Sequence, residues 1–174
     1  MSRGFGEAIK FCPQCGSSEL VRRVPRRDDK ERQVCARCGY VHYVGPVLAA
    51  GAILRHDGRI CLVRRAHEPG LGLWTFPGGF VDLGEETGAA ALREVAEETG
   101  CRAALGGLVG VYPSEGPAGK RVVIVVYAAS LLAGGASRSE EVREMRWFAP
   151  AELPWDELAF PSSARALREL LAGA

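Results

Sequence analysis

An apolar run at 47–55, VLAAGAILR, is separated from a second one, ICLVRR at 60–65, by Asp57-Gly58. Two such runs around an Asp-Gly pair predict a β-hairpin closed by a two-residue turn. LWTFPGGFV (73–81) then reads as a strand entering a glycine-rich turn. The period changes after it. Leu92, Val95, Ala96 and Thr99 recur at i, i+3, i+4 and i+7, predicting a helix from a Thr87 cap to about Thr99, with Gly100 as its stop. On that helix Glu94, Glu97 and Glu98 are expected on the face opposite the apolar stripe. Strands are expected at 106–112 and 122–132, around a loop holding Pro113, Pro117 and Gly119, and again at MRWF (145–148). The tail SSARALRELLAGA places Leu167, Leu170 and Leu171 at helical spacing. Strands flanking one interior helix, then a final helix, predict α/β layers.

The 174 residues suit one medium domain, or a domain with a small appendage, and 47% hydrophobic content suffices for a core. Net charge is +1, so no global field points to nucleic acid or membrane. Of 22 Lys/Arg and 21 Asp/Glu, nine and five fall in residues 1–45, leaving thirteen and sixteen for the remainder. A basic head precedes an acidic body. No apolar stretch is long enough to predict a membrane span, and MSRGFGEAIKFCPQCG lacks the apolar run of a secretory leader. A cytoplasmic location is the expectation.

Cys12-x2-Cys15 and Cys35-x2-Cys38 stand nineteen residues apart, the spacing of a four-thiolate zinc site. Each pair lies in a knuckle, CPQCG or CARCG, whose glycine permits the turn. Four sulfurs complete a tetrahedral shell, so the expected Zn²⁺ is structural; redox chemistry is the lesser alternative. Arg22, Arg23, Arg26 and Arg27 offer phosphate contacts, but a solvated loop is the favoured reading, and nucleic acid is not expected as a partner.

Like charges at i, i+3 and i+4 destabilise an isolated helix by about 0.2–0.5 kcal/mol per pair, which makes Glu94, Glu97 and Glu98 costly unless a cation joins them. A solvated polar face is the plain alternative, and helical spacing alone does not decide between the two. The wider segment does. Residues 79–101, GFVDLGEETGAAALREVAEETGC, fit G-x5-E-x7-R-E-U-x-E-E-x-G-U, where U is apolar, with Cys101 at the last position smaller than usual. This chain resembles the Nudix hydrolases, whose signature that segment is.

The resemblance implies an α/β/α sandwich with a mixed β-sheet over 46–174, preceded by a zinc ribbon over 1–45. It implies catalytic Mg²⁺ or Mn²⁺ held by Glu94, Glu98 and the Gly78 carbonyl, with Glu97 a further ligand or base. Arg93 would orient Glu85 or a neighbouring carboxylate. Glu141, six residues before Trp147, is the other candidate base, with Glu140 and Glu144 close enough to be confused with it. Arg64, Arg65 and Phe160 are candidate substrate contacts. Trp74 and Tyr112 are candidate stacking groups, with Trp74 favoured as core, and Cys61 is expected in the core as well. The implied reaction splits the diphosphate of a nucleoside diphosphate derivative, ADP-ribose or FAD, releasing AMP. NADH is an alternative substrate, weakened because 102–125 lacks the SQPWPFPxS motif of that branch. Oxidised nucleoside triphosphates are another. A nucleotide-sensing regulator is the competing class. Pro117, sixteen residues past the signature, matches a marker of ADP-ribose hydrolysis and equally a plain loop proline. Homodimerisation is implied as well.

Overall fold

The computed structural model describes residues 9–135 and 139–173. The first eight residues of the expected ribbon unit and the last residue of the expected C-terminal helix lie outside that range. The chain forms two compact units that divide between Pro46 and Val47.

In the first unit β1 (Leu20–Arg23), β2 (Arg32–Cys35) and β3 (Val41–His42) form an antiparallel sheet in the order β1-β2-β3. Among the described residues, its buried apolar ones are Cys12, Val34 and Cys35. So few cannot hold a chain of this length, and units of about 40 residues need a cross-link or metal. The two knuckles supply the means. Gly16 and Gly39 take φ of 72° and 77°, and their N–H groups donate to the carbonyls of Cys12 and Cys35 at 2.9 Å.

The second unit is built on a mixed sheet. Its strands are β4 (Val47–His56), β5 (Arg59–Arg65), β6 (Trp74–Thr75), β7 (Gly78–Phe80), β8 (Cys101–Glu115), β9 (Arg121–Gly134) and β10 (Val142–Phe148). The order is β10-β5-β4-β9-β8, with β6 on β5 and β7 on β4; β4 and β9 run parallel and the other pairs antiparallel. Two helices cover it, α1 (Thr87–Thr99) and α2 (Pro161–Ala172). β4 explains the layering. Ala50, Ala52 and Leu54 alternate toward Ala91 and Val95 of α1, while Ile53 turns toward Leu167 of α2. A strand covered on both faces has no polar side, hence its unbroken apolar run. Cys61 packs with the α1 layer and Trp74 with the α2 layer, both buried.

The hairpin forms as expected: His56 pairs with Arg59, and Asp57 and Gly58 take φ of 47° and 71°, as a two-residue primed turn requires. Gly100 ends α1 at φ 68°, donating to the Ala96 carbonyl at 2.9 Å. Three expectations need correction. Thr87 is not the cap of α1. Glu86 holds that position without a side-chain bond, while the Thr87 hydroxyl hydrogen-bonds the Tyr127 hydroxyl at 2.7 Å. The strand expected at 106–112 runs from Cys101 to Glu115, because pairing with β9 carries it through three register shifts. The helix face is also different. Ala96 is exposed, whereas Glu94 and Glu98 are buried with Val95 and Thr99. Only Glu97 of the three carboxylates points to solvent.

Candidate metal and substrate site

The site begins where β7 meets β4. Gly78 pairs with Gly51, and a Cβ on Gly78 would stand 2.8 Å from the Gly51 Cα. One on Gly79 would lie 2.6 Å from the Glu94 carboxylate carbon. The glycines expected in a turn are thus part of strand β7, and without side chains they bring backbone directly onto the carboxylates of α1.

Glu98 accepts from the Gly78 N–H at 3.1 Å. Burial, then the neighbouring Glu94 charge, push its carboxyl up to about 8, while Arg65 acts in the opposite sense. Burial also raises Glu94, against the pull of Arg93. Arg93 organises the acids around them. Its Nε and Nη2 donate to both oxygens of Glu85 at 2.9 and 3.0 Å, and Nη1 donates to Glu94 at 2.7 Å and Glu97 at 3.0 Å. Nη2 also reaches the Phe80 carbonyl at 3.0 Å. The guanidinium is held above its usual range by Glu85 first and Glu94 next, and it in turn lowers Glu85. Charge-assisted bonds of this fork geometry are among the stronger ones.

Arg93, Glu94, Glu97 and Glu98 line an acidic cavity of 570 Å³ with Glu140 and Glu141. Glu141 sits on the segment before β10, and its carbonyl accepts from the Ala66 N–H at 2.9 Å, tying that segment to the end of β5. Glu144 belongs elsewhere. It pairs with Arg64 at 3.7 Å.

Arg64 and Arg65 separate, as neighbours on a strand must. Arg64 stacks over Trp74, pairs with Glu157 at 3.2 Å and donates to the Gly72 carbonyl, outside the cavities described here. Arg65 lies over the Phe160 ring at 5.2 Å, donates from Nε to the Pro69 carbonyl at 2.7 Å, and has no carboxylate partner among the described residues. It lines a second cavity of 390 Å³ with Phe76, Phe80, Ile124 and Phe160. His67, Gly79, Phe80 and Glu141 border both cavities, so the acidic one opens into the apolar one. Tyr112 is not in either cavity; it is buried and donates to Glu169 at 2.6 Å. Residue types alone gave no signal for Phe80 or His67, whose place at the junction depends on the fold.

In the first unit all four cysteine sulfurs lie within 4.8 Å of one another, with Cys12–Cys38 and Cys15–Cys35 at 3.6 Å. Zn–S bonds of about 2.3 Å in a tetrahedron put sulfurs about 3.8 Å apart, so the cluster has the dimensions of a zinc shell. Backbone N–H groups, that of Cys38 first, lower the Cys35 thiol, while burial and the neighbouring thiols raise that of Cys38.

The NUDIX domain family matches residues 45–170, and a second family, described as Nudix N-terminal, matches residues 10–44. An ADP-ribose pyrophosphatase from Methanocaldococcus jannaschii is 34% identical over 123 residues, 70% of this chain and 71% of that one. The NAD-capped RNA hydrolase NudC of Haemophilus influenzae is 33% identical over 109 residues, 58% of this chain and 39% of that one. A NUDIX hydrolase from Nitrosomonas europaea superposes with a TM-score of 0.81 at 32% identity, covering 95% of this chain and 94% of that one. The chain belongs to the Nudix family and is a pyrophosphohydrolase, carrying an N-terminal four-cysteine zinc ribbon.

Proposed function

We propose that the protein hydrolyses the diphosphate linkage of a nucleoside diphosphate derivative, with ADP-ribose or FAD preferred and AMP released. The observation that carries this reading is the junction of an acidic cavity with an apolar one, bordered by Glu141 and Gly79. A diphosphate fits the first and a nucleoside the second. The ADP-ribose pyrophosphatase relative supports the substrate class.

Glu94, Glu98 and the Gly78 carbonyl would hold the divalent cation, Mg²⁺ or Mn²⁺. Two buried carboxylates beside the β7 backbone form a hard oxygen donor set that suits either ion. When bound, the cation supplies charge neutralisation for the diphosphate and a water of lowered pKa. Arg93 fixes the carboxylates that face it. Glu97 is committed to Arg93, whereas Glu141 makes no ion pair among the described residues. Glu141 is therefore the better placed of the two to accept the proton of the attacking water. Arg65 contacts the substrate phosphate from the apolar side, and Phe160 packs on the nucleoside. We assign the ribbon, 1–45, a structural Zn²⁺ and the hydrolase 46–174. The edge strand β8 exposes Leu105, Leu108 and Val111, which supports a homodimer through that edge.

The test is a substrate panel of ADP-ribose, FAD, NADH and 8-oxo-dGTP with Mg²⁺ or Mn²⁺, the products separated by chromatography. AMP from ADP-ribose or FAD is expected. Pyrophosphate from the triphosphate as the dominant product would replace this reading with nucleotide sanitation.

A further inference from the structure

Two pairs of hydroxyls interrupt the apolar wall of the 390 Å³ cavity. Ser114 Oγ and Ser162 Oγ lie 3.1 Å apart and join β8 to the first turn of α2. Thr75 Oγ1 and Ser163 Oγ lie 3.0 Å apart and join β6 to the same turn. Their neighbours in the wall include Phe76, Val122, Ile124 and Phe160. A hydroxyl placed there costs free energy unless it is hydrogen-bonded, and each pair meets that need internally. Two hydroxyls carry two O–H donors and four lone pairs. The mutual bond uses one of each, so every pair keeps one donor and three acceptor sites. Either oxygen can be the donor, so a ligand can set the direction.

Position separates the pairs. Ser162, Ser163 and Thr75 are buried, while Ser114 is half-buried. Ser114 and Ser162 also border a third cavity of 680 Å³, behind the 115–121 turn. Their bond is thus a crossbar between that space and the apolar cavity. The acidic cavity joins the apolar one through Gly79 and Glu141. A nucleotide with its diphosphate on the carboxylates would lay its base in the apolar cavity, whose wall carries the crossbar.

We propose that Ser114 and Ser162 are specificity-determining residues that read the hydrogen-bonding edge of the substrate's heterocycle, favouring a ring with a donor beside an acceptor, as on the 6-amino edge of adenine. This rests on the nucleoside diphosphate reading above. The Thr75–Ser163 pair positions the turn that carries Ser162.

The test compares ADP-ribose with its analogue in which unsubstituted purine replaces adenine, by kcat and KM. In parallel, AMP and purine riboside 5′-monophosphate are titrated by calorimetry, which needs no turnover. The native protein should favour the adenine member by about tenfold in both assays, the weight of one or two hydrogen bonds. Ser114→Ala and Ser162→Ala should bring that ratio near unity, through KM rather than kcat, and Ser114→Thr should restore it. Melting temperatures are read alongside, since a purely structural role would move them without moving the ratio. Native selectivity retained in both alanine variants, or absent from the native protein in the binding assay, overturns the proposal. Failure to hydrolyse either diphosphate, with selective AMP binding intact, overturns the diphosphate reading and leaves the edge reading standing.

Discussion

Glu98 shows how far a fold can move one group from its ordinary chemistry. Its carboxyl goes from 4.5 to about 8, chiefly through burial and then through Glu94. In metal-free protein the folded state keeps a proton that the unfolded chain gives up near 4.5. That stabilisation is complete below about 4.5 and is lost as pH rises through about 8. Thermal melts of metal-free protein should therefore show Tm falling from pH 5 toward 8, and Glu98→Gln should flatten the fall. An equally steep slope in the variant would remove Glu98 as its source. Arg93 is the second test at this scale. It donates to Glu85, Glu94, Glu97 and the Phe80 carbonyl from one planar group, which a lysine ammonium cannot copy. Arg93→Lys should lower activity by about 10–100-fold, as losing the support of metal ligands does. Wild-type rates in that variant would sink its positioning role. The arginine pair at the end of β5 was ambiguous in the sequence, where two adjacent cations look alike. Strand alternation sends them to opposite faces, but only the assembled sheet shows which face meets the cavity.

At the scale of elements, the two glycines of β7 meet different obstacles. Gly78→Ala would press on the Gly51 backbone, which has no room to yield, and should cost about 1–3 kcal/mol of stability, read by denaturant unfolding. Gly79→Ala meets the end of a side chain instead, the Glu94 carboxylate. It should weaken divalent-metal affinity in calorimetry more than it lowers stability; the reverse order would mean that Glu94 is not held where β7 places it. Much of this layer was legible beforehand. Asp57-Gly58 and Gly100 announce themselves because positive φ is written in residue type. The signature segment marks its acids by identity and spacing. The orientation of α1 was not legible. A helix lying on a sheet presents both apolar and acidic residues to it when the sheet's glycines leave space, and periodicity reads every carboxylate as facing water. Thr87 was misread for a similar reason, since a threonine before a helix suggests a cap until Tyr127 supplies a better partner.

At the scale of the molecule, two units of unequal size depend on different glue. The hydrolase unit holds two buried layers on one sheet, whereas among the described residues of the ribbon only Val34 is buried and apolar besides the cysteines Cys12 and Cys35. Metal should account for the ribbon's stability, as structural Zn²⁺ contributes on the order of 10 kcal/mol in small domains. Elemental analysis should find one zinc per chain, and Cys35→Ser should lose it and expose the ribbon to protease; a protected, zinc-free ribbon would contradict this. The cysteine spacing made this unit the most legible part of the chain. The exposed apolar edge of β8 was invisible in the sequence, because an apolar strand segment does not say which strand will lie at the edge of the sheet. If that edge joins two copies, Leu108→Glu should shift sedimentation from dimer to monomer. A dimer unaffected by the change would place the contact elsewhere. The reaction proposed at α1 and β7 is cation-dependent cleavage of a nucleoside diphosphate. Its most direct measurement is the rate of AMP release from ADP-ribose across a Mg²⁺ titration, for the native protein and Glu98→Gln. The expected result is metal-dependent release of AMP with ribose 5-phosphate, abolished or shifted to much higher Mg²⁺ in the variant. Equal rates and equal Mg²⁺ dependence in both proteins would contradict the account.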